Sequence, residues 1–134
     1  MSTQVLRGSD DLILFQPKLY EDNRGLFLER FNSVEFHKIT RIKPEFVQMN
    51  ESFSTKGVLR GLHYQLNRPQ GKLISIIAGK VLDVVVDLRK HSSNFGKSFA
   101  IELDSIDKNS LWIPRGYAHG FLALTDNVTF FYMV

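Results

Sequence analysis

The sequence predicts an all-β protein, a sandwich or small barrel carrying one short helix. Three observations lead there. Short runs rich in Val, Ile, Leu and Phe recur at near-regular spacing between turn signals. The run VLDVVVDLR (81–89) alternates in the way a strand with two different faces does. Only residues 33–39 carry a helix-start signature. A chain of 134 residues is enough for one modest core, so a single domain spanning 1–134 is expected.

The elements follow in order. DLILFQPKLY (11–20) reads as an early strand, closed by the turn EDNRG (21–25), and GLFLERF (25–31) as the next. Asn32 is placed to cap the helix. Glu35 stands three residues later, as in a capping box, and Phe31 with Phe36 matches a hydrophobic staple. Pro44 restricts the chain before a strand at EFVQMN (45–50). GVLRGLHYQL (57–66) comes next. KLISII (72–77) and VLDVVVDLR, joined through Gly79, read as a hairpin. On the second arm Leu82, Val84, Val86 and Leu88 share one face. Asp83, Val85, Asp87 and Arg89 share the other, which by its charges is wet or lines a polar cavity. The loop KHSSNFGK, the strand SFAIELD, the segment NSLWIPRGYAHGFLAL and the strand VTFFYMV complete the chain.

Composition narrows the function. With 43% hydrophobic and 23% charged residues the class is soluble and globular, and eleven Phe suggest a core or cleft lined by rings. The absence of Cys excludes disulfide and thiolate chemistry. The apolar runs are too short to span a bilayer and MSTQVLRGSDD has no apolar signal region, so a cytoplasmic protein without membrane contact is expected. The net charge of +3 is spread over scattered Lys and Arg rather than a run, which argues against nucleic acid and leaves room for a small anionic ligand.

Two segments concentrate chemistry: GVLRGLHYQLNRPQGKL, with Arg60, His63 and Lys72, and LWIPRGYAHGFL, with His119. Together they resemble the paired motifs of the cupin superfamily, which implies an antiparallel jelly-roll barrel. Metal-binding cupins use a His-x-His pair and a later Glu from the first motif and another His from the second. Here Gln65 stands in place of the second His, no Glu lies between Gln65 and Gly79, and Lys72 occupies that stretch. An ammonium group repels a divalent cation, and two imidazoles make a poor metal site. No metal and no cofactor are expected, which leaves the histidines free for proton transfer.

The resemblance sharpens over DNRGLFLERFN, FVQMNESFSTKGVLRGLHYQ, GKLISIIAGKVLDVVVDLRKHSSNFGK and LWIPRGYAHGFLAL. From about residue 12 to the last residue the chain resembles the dTDP-4-dehydrorhamnose 3,5-epimerases of bacterial deoxysugar pathways. By position, the resemblance implies that His63 is the base beside the sugar ketone, Lys72 the cation at the 4-keto oxygen, and Tyr132 the acid on the opposite face. It implies that Arg24, Phe27, Glu29, Gln48, Asn50 and Arg60 hold the nucleotide and diphosphate, and that His119 and Asp83 line the cavity. It also implies a homodimer that shares site residues. The carrier is dTDP by the same resemblance, with CDP left open. Elementary chemistry fits these roles. A proton α to a ketone needs a base and a positive group for the enolate. An imidazole titrates near about 6.5, and a phenol can return a proton on the far face. Arg suits a diphosphate because its fork binds two oxygens.

Relatives of this family continue for several dozen residues beyond the position of Tyr132, with a carboxylate that pairs with the catalytic His. Asp83 is the first candidate to replace it. Without that closing segment, inversion is expected at C3, with C5 left open. Asp87 reads as a structural partner of a nearby cation, and His37 and His91 read as surface residues. Two alternatives stand beside the epimerase: a non-catalytic cupin that binds a nucleotide sugar, and a sugar 3,4-ketoisomerase. The latter is disfavoured because HYQ replaces its His-Ala-His type motif.

Overall fold

The computed structural model describes residues 1–134. Twelve strands and one helix follow in order: β1 (Ser2–Val5), β2 (Ile13–Gln16), β3 (Leu19–Asp22), β4 (Gly25–Leu28), α1 (Ser33–Thr40), β5 (Met49–Ser54), β6 (Leu59–His63), β7 (Lys72–Ala78), β8 (Lys80–Asp87), β9 (Ser98–Asp104), β10 (Ser110–Ile113), β11 (Tyr117–Ala123) and β12 (Val128–Met133). A six-stranded sheet, β1-β2-β10-β7-β12-β5, and a four-stranded sheet, β6-β11-β8-β9, form the body. The β3–β4 ribbon is a separate two-stranded sheet. All strand pairings within these sheets are antiparallel. No helix is long and apolar enough to cross a membrane.

Several expectations are corrected. The early strand 11–20 is two strands, β2 and β3, interrupted at Pro17, which has no N–H to give to a ladder. The strand expected at 45–50 begins only at Met49 and runs on to Ser54, opposite β12. The largest correction concerns β7 and β8. They are not a hairpin: β7 pairs with β10 and β12, whereas β8 pairs with β9 and β11. Gly79, at φ 82°, carries the chain from one sheet to the other. A Cβ there would stand 2.7 Å from Thr125 Oγ1 and 2.9 Å from Val128 Cγ2, so the corner admits only glycine.

The interior between the sheets is filled by Leu12, Ile74, Ile76, Val81, Val85, Phe121, Val128 and Phe130, among others. On β8 the buried positions are Val81, Asp83, Val85 and Asp87, so the face bearing the two carboxylates is the interior itself. That face is dry rather than wet, and each carboxylate needs a dedicated partner. A second cluster of Ile13, Phe15, Phe36, Leu73 and Trp112 lies outside the six-stranded sheet, where α1 covers it. Asn32 Oδ1 accepts from the Val34 and Glu35 N–H groups, and Phe31 meets Phe36 at 5.8 Å between ring centroids, as the cap and staple predicted. Phe36 stacks on Phe15 and meets Trp112 edge-on at 4.8 Å; burying a ring of this size contributes about 2–3 kcal/mol.

Candidate active site

β6 is an edge strand, paired only with β11. His63 lies opposite His119 and Arg60 opposite Phe121, so β6 has one residue more than β11 across this interval. Such a bulge bends the edge and re-aims the side chains that follow it. Two glycines allow the approach. A Cβ on Gly61 would stand 2.6 Å from His119 O, and one on Gly120 would stand 2.5 Å from Arg60 O.

At the end of the barrel where His63 emerges is a cavity of about 590 Å³. Gln48, Asn50, His63, Lys72 and Tyr132 line it, together with Tyr64, Gln65, Gln70 and Tyr117. Lys72 Nζ lies 5.6 Å from the centroid of the Tyr132 ring. Burial holds the Lys72 ammonium below its ordinary pKa, and the Asp83 carboxylate acts in the opposite direction. Gln48 Nε2 donates to Asn50 Oδ1 at 2.9 Å, which fixes one amide against the other on the wall. A larger groove of about 830 Å³ adjoins this cavity, sharing Pro69, Gln70 and Val134, but it runs between Trp112, Phe46 and exposed cations away from His63.

Five of the anticipated site residues thus converge. His119 and Asp83 do not line the cavity but lie behind its wall. His119 Nε2 and Asp83 Oδ2 are 2.8 Å apart, with both side chains almost fully buried. Asp83 therefore does not orient His63, because its hydrogen bond goes to His119. Burial pushes the Asp83 carboxyl above its ordinary range, with His119 and Lys72 pulling it back. Arg60 also lies outside this cavity. Its Nε donates to Ser54 Oγ at 3.0 Å and its Nη2 to Phe53 O at 3.1 Å.

Arg24, Phe27 and Glu29 sit apart, on and beside the β3–β4 ribbon, where they line two shallow surface hollows with Tyr20. Arg24 is paired with Asp22 at 2.6 Å, and Phe27 is 69% exposed beside Tyr20. Asp87 is the structural partner of Arg89, whose guanidinium also donates to Asp11 and to Tyr117 Oη. Sequence reasoning missed Tyr64, Gln65, Gln70 and Tyr117 as lining residues. Adjacency to His63 was the available signal for the first two, and the PRGYAH turn for Tyr117. No group of three or more His, Cys, Asp or Glu side chains is placed to hold a metal ion.

The family model described as dTDP-4-dehydrorhamnose 3,5-epimerase matches residues 8–134. The chain belongs to that family. The dTDP-4-dehydrorhamnose 3,5-epimerase of Shigella flexneri is 51% identical over 123 residues, covering 91% of this chain and 68% of the relative. The crystal structure of the dTDP-6-deoxy-D-glucose-3,5-epimerase of Legionella pneumophila in complex with dTDP-4-keto-L-rhamnose superposes with a TM-score of 0.91. It is 45% identical, over 94% of this chain and 67% of that one. A 3'-monoepimerase of Streptomyces bikiniensis in complex with dTDP-quinovose has the same fold at a TM-score of 0.87 and 30% identity, over 94% of this chain and 64% of that one. The chain spans about two thirds of the length of the curated epimerases it matches. By membership in the 3,5-epimerase family it is placed among the isomerases of nucleotide-deoxysugar biosynthesis. The cupin-type, all-β architecture agrees with that of its solved relatives.

Proposed function

We propose that this chain epimerises a dTDP-linked 4-keto-6-deoxyhexose at C3 and C5 without a metal or cofactor. The observation that carries the reading is the convergence of a histidine, a lysine and a tyrosine on one cavity, with Lys72 Nζ over the Tyr132 ring. The His63 imidazole takes the proton from the carbon next to the ketone. The C–H electron pair moves into a carbon–carbon double bond, and the carbonyl pair moves onto oxygen. The Lys72 ammonium faces that developing enolate oxygen, and partial burial strengthens the attraction. Tyr132 then returns a proton to the carbon from the other ring face, which inverts it. His63 releases its proton to solvent, and the phenolate recovers one. Both carbons are proposed because the relatives of higher identity are named 3,5-epimerases, whereas the 3'-monoepimerase is more distant.

The carrier is proposed to be dTDP, which accompanies the sugars named for the solved relatives. CDP is the competing carrier. The β3–β4 ribbon is proposed to reach the site of a second copy in a homodimer. Arg24, Phe27 and Glu29 then complete a nucleotide site that their own barrel leaves open. Exposed Met49, Phe53 and Leu59 supply apolar surface for that association. The proposed compartment is the cytoplasm.

The test is NMR of a dTDP-4-keto-6-deoxyhexose incubated in D₂O. The wild-type chain is expected to introduce deuterium at C3 and C5 with inversion. His63→Asn should introduce none while still binding dTDP, and Tyr132→Phe should exchange but give little inverted product. Deuterium confined to C3 would limit the chain to one carbon. Wild-type protein that binds dTDP without any exchange would make it a binding module and overturn the proposal.

A further inference from the structure

Asp83 is a fully buried carboxylate with one of its two oxygens unpaired. Oδ2 is bonded to His119 Nε2 at 2.8 Å, while Oδ1 is buried and has no hydrogen-bond partner. A desolvated carboxylate oxygen costs several kcal/mol unless a donor or a positive charge answers it. Across the barrel, Lys72 presents the complementary problem. Its ammonium is partly withdrawn from water, it forms no ion pair, and the group it overlies is the Tyr132 ring. Lys72 is in phase with the interior residues Ile74 and Ile76 on β7, and Asp83 stands between the interior residues Val81 and Val85 on β8. The titratable groups that line the cavity with Lys72 are His63, Tyr64, Tyr117 and Tyr132, and Asp83 and His119 lie behind its wall. Of these, only Asp83 can carry a negative charge near neutral pH. The two are joined by a run of packed rings. His119 lies on Phe130 at 5.9 Å with planes 29° apart, Phe130 meets Tyr132 at 6.1 Å, and Tyr132 lies beneath Lys72.

We infer that Asp83 is a positioning residue for Lys72: its buried carboxylate is the counter-charge that holds the Lys72 ammonium at the cavity. His119 is bonded to the carboxylate at Oδ2, which leaves Oδ1 buried and without a hydrogen-bond partner. The inference rests on the reading of Lys72 as the cation at the ketone oxygen. The mutual influence of the two groups runs the same way. Burial depresses the lysine and raises the carboxylic acid, and each charge opposes the shift of the other. Asp83 thus acts through Lys72 and not on the substrate.

The direct test is a titration of the Lys72 side chain by NMR of protein labelled at lysine Cε, without substrate, with the resonance assigned from its loss in Lys72→Met. In Asp83→Asn the Lys72 midpoint is expected to fall by about one pH unit. The high-pH limb of kcat should fall with it, while KM changes little. In the Lys72→Met background, Asp83→Asn should cost no further activity. If Asp83→Asn does not fold, His119→Phe serves. It keeps the ring stacked on Phe130 but removes the influence that holds the acid ionised, so Lys72 should again titrate lower. An unchanged Lys72 midpoint in whichever of these variants folds overturns the inference. A lowered midpoint in a protein that exchanges no deuterium into the keto sugar would uphold the counter-charge and sink the epimerase reading instead.

Discussion

Gly120→Ala should damage the proposed reaction far more than the fold. The added methyl would lie 2.5 Å from Arg60 O, 3.3 Å from Gly61 Cα and 3.4 Å from Leu62 Cα. Ordinary contact begins at 3.4 Å, so the backbone at Arg60 must retreat by 0.9 Å. Gly120 is not in the left-handed region, so the clash is purely one of approach. It falls on β6, which is free to give way because β11 is its only neighbour. Overpacking of this kind costs about 1–3 kcal/mol. For a domain of this size that is a drop in Tm of very roughly 4–12 °C. The same retreat carries His63 with it, and a displacement of about 1 Å at a reacting group costs on the order of a hundredfold in rate. The assay pairs a thermal melt with the rate of deuterium entry into the keto sugar, measured well below the melting range of the variant. Wild-type exchange in a folded Gly120→Ala protein would refute the argument that this close approach aims His63. So would an exchange loss that tracks the unfolded fraction alone.

Three further outcomes are expected. Phe130→Ala removes a buried ring that stacks on Phe121 at 4.1 Å and supports both His119 and Tyr132; a loss of about 3–5 kcal/mol in denaturant unfolding is expected, and a loss under about 1 kcal/mol would show that the interior collapses around the gap. Arg89 and Ser92 hold the Asp87 carboxyl down at about 2 from an ordinary 3.8, so the folded protein binds this proton less readily than the unfolded chain. That stability, about 2 kcal/mol, is fully present above about pH 5 and is lost as pH falls toward 2, and Asp87→Asn should flatten the acid unfolding profile in that window. Mixing equal amounts of His63→Asn and Arg24→Ala subunits, each inactive alone, should restore about a quarter of wild-type activity if the ribbon serves the partner's barrel, since half of the dimers are mixed and each holds one intact site. No recovery after verified subunit exchange would place Arg24 in its own barrel's site.

Much of this molecule was readable from local pattern. The alternation of VLDVVVDLR reports a strand with two faces, and Asn32, Phe31 and Phe36 mark the helix start to the residue. The family resemblance, running from about residue 12 to the last residue, pointed to His63, Lys72 and Tyr132, which the fold gathers on one cavity. What the pattern does not contain is the identity of each strand's neighbour. KLISII and VLDVVVDLR look like a hairpin because each is a good strand and a glycine joins them. Their partners are instead β10 and β12 for one and β9 and β11 for the other, all supplied from beyond residue 97. For the same reason the charged face of β8 could be read as wet. Period two separates the faces, but only the second sheet decides which one is inside. The fate of Asp83 follows from that choice: placed in the interior, it takes its hydrogen bond from His119, 36 residues later in the chain, rather than from the nearer His63. Arg24, Phe27 and Glu29 were assigned to the same site by position, yet the ribbon that bears them makes a sheet of its own. Side-chain alternation is a property of one strand, whereas pairing and burial depend on groups that meet only when distant segments close on each other. Tertiary structure therefore decided which carboxylate meets which imidazole.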